Sequence, residues 1–202
     1  MNLLTLYNDL AQQYGSSTGE MVFTFSDKGS MHSYIEFYEK YFKTKQKSVS
    51  LLEVGLMTGG SLHMWQQWFK KYTLVGVDIS PTWNAPRPFQ HALEIDSNIV
   101  LMFGTDSKSP TLAENLSRYN FDFVIDDGDH SCKSQMDTFS NLWRTVSPGG
   151  TYFIEDVVGS TQIEILQKFL TDFKDIANVE HYKGFKNGRA DDQILAVTKE
   201  SK

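Results

Sequence analysis

Apolar residues recur at helical spacing twice near the start of the chain. In NLLTLYNDLAQQY they fall at Leu3, Leu6, Tyr7, Leu10 and Tyr14. In MHSYIEFYEKYF they fall at Met31, Tyr34, Ile35, Tyr38, Tyr41 and Phe42. A Gly/Ser/Thr cluster, GSSTG, breaks the pattern between them. The spacing predicts two short amphipathic helices. They form an N-terminal cap over residues 1–45, ahead of a core over 46–202 of the same domain. The aromatic side of the second helix is expected to serve helix packing.

Beyond the cap the pattern alternates. SVSLLEVG, TLVGVDIS, NIVLMFGTD, FDFVIDD and GGTYFIEDV read as buried strands. SLHMWQQWFKKY, SPTLAENLSRY, SQMDTFSNLWRTV and TQIEILQKFLTDF read as helices, with Ser61 as a plausible cap of the first and Ser109 and Pro110 opening the second. NVEHYKGF and QILAVTK then follow as two strands with no helix between them. Apolar strands separated by amphipathic helices imply a parallel sheet covered on both faces. The few residues near KNGRADD suit an antiparallel return. The expected fold is therefore α/β: a Rossmann-like, doubly wound, seven-stranded sheet, mostly parallel, with a C-terminal antiparallel hairpin.

Composition narrows the class without changing this picture. The 202 residues suit one domain, and 40% apolar and 22% charged content are those of a globular chain. A net charge of −6 offers no basic surface for nucleic acid. No apolar run approaches a membrane span, and the N-terminus lacks the basic and apolar regions of a signal peptide. A lone cysteine, Cys132, agrees with a reducing compartment. A cytoplasmic protein is expected, and the sequence leaves a homo-oligomer open.

In such sheets ligands bind outside the carboxyl ends of the strands. LLEVGLMTGGSL joins the first core strand to its helix, and Gly55, Gly59 and Gly60 permit a tight turn and close approach of a ligand to the backbone. The dinucleotide pattern G-x-G-x-x-G is missing its second glycine, which disfavours a diphosphate. Glu53 opposes a pyrophosphate and suits a cationic amino-acid moiety. Asp78, ending the second strand, is placed for ribose hydroxyls, with Ile79 beside it. Asp106, ending the third, is placed to reach an adenine amino group. Any one acid alone is more simply a strand-end or helix cap. Three at successive strand ends point to a nucleoside pocket.

A second concentration of acids follows. Asp126 and Asp127 end the fourth strand, and Glu155 and Asp156 end the fifth. Neighbouring strands bring the two pairs to one rim of the crevice. Uncompensated carboxylates that close together are costly, and a divalent cation is the economical answer. Oxygen ligands favour magnesium, or manganese or calcium, over zinc. Asp129 or Ser131 suits a cap of the next helix. His130 titrates near neutrality and is the candidate general base.

The segments DKGSMHSYIEFYEKYF, LLEVG, GGSLHMW, VGVDIS, IDDGDH and PGGTYFIEDV together resemble the class I S-adenosylmethionine-dependent methyltransferases. More narrowly, they resemble the catalytic domain of the macrolide-sugar O-methyltransferases. The resemblance implies that Glu53, Gly55, Ser61, Asp78 and Asp106 surround S-adenosylmethionine, with Gly59 and Ile79 in the same group and Asp126 toward the cofactor. It implies that Asp127, Glu155 and Asp156 bind Mg2+ (or Mn2+), and that Asp127 and His130 are catalytic. The implied reaction is methyl transfer to a hydroxyl of a sugar or glycosylated small molecule. A catechol acceptor, an iron-dependent oxygenase of the cephalosporin-hydroxylase kind and a non-catalytic cofactor-binding module are the alternatives. Lys28, His32 and Tyr34 are expected only to help cover the site. His63, His91 and His181 carry no usable pattern.

Overall fold

The alternation of the strands decides which faces of the sheet the helices cover. The computed structural model describes residues 1–15, 25–45, 47–184 and 186–201. Residues 16–19 of the GSSTG break lie outside them. Two helices come first, α1 (Leu3–Tyr14) and α2 (Ile35–Phe42). The Asn2 side chain caps α1 by accepting from the Thr5 N–H at 2.7 Å. The core runs β1 (Val49–Val54), α3 (Gly60–Trp68), β2 (Tyr72–Val77), α4 (Gln90–Ile95), β3 (Ile99–Met102), α5 (Pro110–Asn115) and β4 (Phe121–Asp126). It continues through α6 (Cys132–Leu142), β5 (Val146–Ile154), α7 (Gly159–Leu170), β6 (Ile176–Lys183) and β7 (Gln193–Lys199).

The seven strands form one sheet in the order β3-β2-β1-β4-β5-β7-β6. Neighbours from β3 to β5 pair in parallel, and β7 is antiparallel to both β5 and β6. Side-chain burial explains why the last strand takes the inner place. QILAVTK is apolar on both faces: Ile194 and Ala196 join one core, Leu195 and Val197 the other. β6 is half exposed along its length and suits the edge.

Period-two alternation sorts the rest. Leu51, Leu74, Phe123, Ile125 and Phe153 face a core shared with α1, α2 and α3. Leu52, Val54, Val75, Val77, Val124, Tyr152 and Ile154 face a second core filled by α5, α6 and α7. No helix among the described residues is long and apolar enough to cross a membrane.

Several boundaries differ from the sequence pattern. The second helix starts at Ile35. The carbonyl of Asp27 accepts the N–H groups of Ser30, Met31 and His32, so those residues form a turn. Helix α4 has no sequence expectation behind it, because it is short and follows the proline-rich PTWNAPRPF. The N-cap of α3 is Gly59 in a left-handed conformation, and Ser61 lies inside the helix. Ser109 occupies the N-cap of α5 without a capping hydrogen bond from its side chain.

The glycine turn after β1 borders the cavity at Gly55 and Gly60 and also serves chain packing. A Cβ on Gly55 would lie 1.9 Å from the carbonyl oxygen of Asp127, and one on Gly60 would lie 1.4 Å from that of Phe25. These glycines let β4 and the incoming N-terminal segment close over the helix start. Gly60→Ala should therefore push residues 25–27 outward and destabilise the protein by about 1–3 kcal/mol. A urea midpoint equal to that of the unchanged protein would show that the close passage is not needed.

Candidate functional site

The same parity builds the site. Glu53, Asp127 and Glu155 all fall on the face covered by α1 to α3, continuing the rows of Leu51, Ile125 and Phe153. The ladder continues past the strand ends: the Asp127 N–H donates to the Val54 carbonyl at 2.9 Å and the Glu155 N–H to Asp126 at 3.0 Å. Three carboxylates thus converge beneath the N-terminal segment.

One cation holds them. Lys28 is 1% exposed, and its Nζ donates to Asp127 Oδ2 at 2.6 Å and to both Glu155 oxygens at 2.8 Å. It also faces Glu53 Oε1 at 3.5 Å. Burial opposes its charge, but Asp127, Glu155 and Glu53 more than reverse that and hold the ammonium well above its usual range. The Tyr38 hydroxyl donates to Glu155 as well. Trp65 Nε1 donates to Glu53 at 3.1 Å. Burial pushes Glu53 up to about 7, with Lys28 and Ser61 drawing it back.

An outer group adjoins this inner one. By parity Asp156 belongs on the opposite face. Its backbone is left-handed, at φ 54°, and the turn redirects its side chain toward Asp127 and His130. Ligand-capable atoms of Asp127, His130 and Asp156 lie within 4.8 Å of one another. His130 Nε2 is 3.4 Å from Asp127 Oδ1, and Nδ1 is 3.4 Å from Asp156 Oδ2. Asp127 therefore divides its oxygens, one toward Lys28 and one outward. Burial opposes its charge, but Lys28 and His130 outweigh it and hold its carboxyl below the usual range. His130 is raised to about 9, first by the Asp127 carboxylate beside it, against desolvation, and by the charge of Asp156. The Tyr34 hydroxyl lies 2.7 Å from Asp156 Oδ1 and 2.8 Å from the Asp191 carbonyl, and His32 Nδ1 is 3.5 Å from Asp156. Tyr34 thus lies outside the helical stripe and braces the outer group, and Tyr38 braces the inner one.

A cavity of about 450 Å³ opens beside these groups. Gly55, Ser61, Asp78, Ile79, Asp106, Asp127 and His130 line it, joined by Phe25, Ser26 and Asp27 of the N-terminal segment. Asp78 Oδ2 accepts the N–H groups of Leu56 and Met57 at 2.8 and 3.1 Å, and Oδ1 that of Ser80 at 2.8 Å. It ties the glycine turn to the end of β2. Asp106 is half exposed and accepts from the Lys108 N–H at 3.0 Å.

Other expected residues lie apart from the cavity. Glu53 and Gly59 are not in its wall. Asp126 is buried on the opposite face, where Tyr152 donates to it at 3.2 Å and burial pushes it up to about 7. Glu155 is not brought into the outer group, because both its oxygens serve Lys28. Ser131 does cap α6, accepting from the Ser134 N–H at 3.4 Å, and Asp129 accepts from Ser131 at 3.0 Å. His63 stacks on Phe89 among Tyr14 and Phe25, as part of the core. Sequence reasoning missed the central place of Lys28 and the lining role of Asp27. Neither sits in a periodic element; the only available signal was their adjacency in DKGSMHSY.

Both expected groups fit this chemistry. The outer group offers carboxylate oxygens and an imidazole whose buried Nε2 has no hydrogen-bond partner, a donor set suited to a divalent cation. The cavity volume lies within the range of small-molecule sites, and Asp78 and Asp106 stand at successive strand ends along it.

Residues 52–157 match the family described as a methyltransferase domain. The 8-demethyl-8-alpha-L-rhamnosyl tetracenomycin-C 2'-O-methyltransferase of Streptomyces olivaceus is 31% identical over 65% of this chain and 35% of its own. The demethylmacrocin O-methyltransferase of Streptomyces fradiae is 33% identical over 64% of this chain and 33% of its own. The chain thus spans about a third of the length of these relatives. The structure of MycE methyltransferase from the mycinamycin biosynthetic pathway, in complex with Mg, SAH and mycinamycin VI, aligns over 100% of this chain and 55% of its own. The TM-score is 0.74 and the identity 24%, a likeness of fold.

Removing the inner cation tests its place in the structure. Lys28→Met leaves buried carboxylates unpaired and should cost about 3–5 kcal/mol of stability. An equilibrium unfolding curve unchanged by the substitution would mean that the carboxylates find other compensation.

Proposed function

Because the chain belongs to the methyltransferase domain family, we propose that it is an S-adenosylmethionine-dependent, divalent-metal-assisted O-methyltransferase. Its acceptor is a hydroxyl of a sugar or glycosylated small molecule. The observation that carries this reading is one continuous cavity. It is lined by Asp78 and Asp106 at one end and by Asp127 and His130, with Asp156 behind them, at the other. A nucleoside at the first end leaves its sulfonium methyl facing the second. The names of the relatives, sugar O-methyltransferases of glycosylated natural products, support the acceptor class.

Asp127 and Asp156 would hold the divalent cation, with Mg2+ or Mn2+ suited to their oxygens. Bound there, a cation would supply positive charge that lowers the pKa of an acceptor hydroxyl and of the neighbouring His130 imidazolium. His130, once neutral, would take the hydroxyl proton at its ring nitrogen as the acceptor oxygen bonds the methyl carbon and the S–CH3 bond breaks, leaving S-adenosylhomocysteine. Lys28 and Glu155 fix Asp127 from beneath. Tyr34 steadies Asp156. The cavity wall aligns donor and acceptor, which is most of what transfer from an already activated sulfonium requires.

A radiolabelled-methyl assay over glycosides with vicinal hydroxyls, with catechol for contrast, tests the reading. Transfer should require Mg2+ or Mn2+ and stop with chelator. His130→Ala and Asp127→Ala should lose about 100-fold or more in rate, with S-adenosylhomocysteine binding changed only a few fold. Full turnover in both variants, or in chelated protein, would falsify the mechanism.

A further inference from the structure

The cavity requires a partner for a positive charge that Glu53 does not supply. This inference rests on the methyl-transfer reading above. The methionyl end of S-adenosylmethionine carries an ammonium, and a desolvated ammonium needs an anionic acceptor. Glu53 ends the first core strand and is the acid expected there. It is 0% exposed, faces Lys28 and Trp65, and is absent from the cavity wall.

The strand order fixes where the methionyl end lies. Asp78 and Asp106 follow β2 and β3, on one side of β1, and Asp127 follows β4 on the other. With the nucleoside over β2 and β3, the amino-acid end falls over β1 and β4. Among the described residues, three lining acids stand on that side: Asp27, Asp127 and Asp129. Asp127 is committed to Lys28 and to the outer group. Asp129 is exposed and accepts from Ser131 N and Ser134 Oγ.

Asp27 remains, and it is well placed. The segment that carries it crosses the start of α3, where the Phe25 carbonyl lies against Gly60. The three N–H groups donated to the Asp27 carbonyl fix its backbone in the cavity wall.

We propose that Asp27, rather than Glu53, binds the ammonium of the cofactor's methionyl end. Isothermal titration of the whole chain with two ligands tests this. S-adenosylhomocysteine carries the amino-acid end, and 5′-methylthioadenosine has the same nucleoside thioether without it. Asp27→Asn should weaken S-adenosylhomocysteine about tenfold or more and leave methylthioadenosine unchanged. The second ligand reports whether the variant keeps its cavity. Unchanged S-adenosylhomocysteine binding overturns the inference, as does equal weakening of both ligands, which would make Asp27 part of the wall only. Unmodified protein that binds neither ligand overturns the methyl-transfer reading as well.

Discussion

The Lys28 ammonium sits where three strands deliver three carboxylates to one buried point, and the geometry of the site follows from how that charge is resolved. Two carboxylates on one cation would already pair well; here the third, Glu53, approaches more loosely at 3.5 Å. Buried charges of this kind hold together only with close geometry and additional hydrogen bonds. Tyr38 supplies one to Glu155 and Trp65 one to Glu53. The cation comes from a loop, so the same contacts that neutralise the strand ends also pin the N-terminal segment over the cavity.

Asp127 connects this inner arrangement to the outer one. One oxygen is spent inward and the other looks out at His130. Parity alone would leave it without a companion, since Asp126 points to the opposite face and Glu155 to Lys28. The left-handed turn at Asp156 brings the missing carboxylate back. The cluster of Asp127, His130 and Asp156 on the rim thus exists because one residue departs from strand alternation; the Tyr34 hydroxyl braces that departure, with His32 3.5 Å away.

Much of the fold was legible because it is periodic. The strands, their covering helices and the terminal hairpin follow from alternation and helical spacing, and so does the meeting of the acids that end β4 and β5. The finer assignments were less accessible. Glu53 and Glu155 look free in sequence, since nothing local shows that a lysine far upstream reaches them. Tyr38 reads as helix packing and Tyr34 only as cover for the site, because aromatic spacing does not reveal a hydroxyl's partner. The glycines read as ligand approach, and nothing local shows that Gly55 and Gly60 also make room for the backbone carbonyls of Asp127 and Phe25. Each of these depends on contacts between distant segments, which a one-dimensional pattern does not carry.

The position of Lys28 in the chain has a consequence for how the molecule comes into being. Its partners Asp127 and Glu155 lie 99 and 127 residues later. On a ribosome the lysine emerges long before either acid exists, and the sheet must be laid down through β5 before the three can meet. Contacts so remote in sequence are slow to close. The inner ion group therefore cannot close until the chain has been made through β5 and Glu155. A nascent chain that stops short of that strand lacks the contacts that pin its own N-terminal segment.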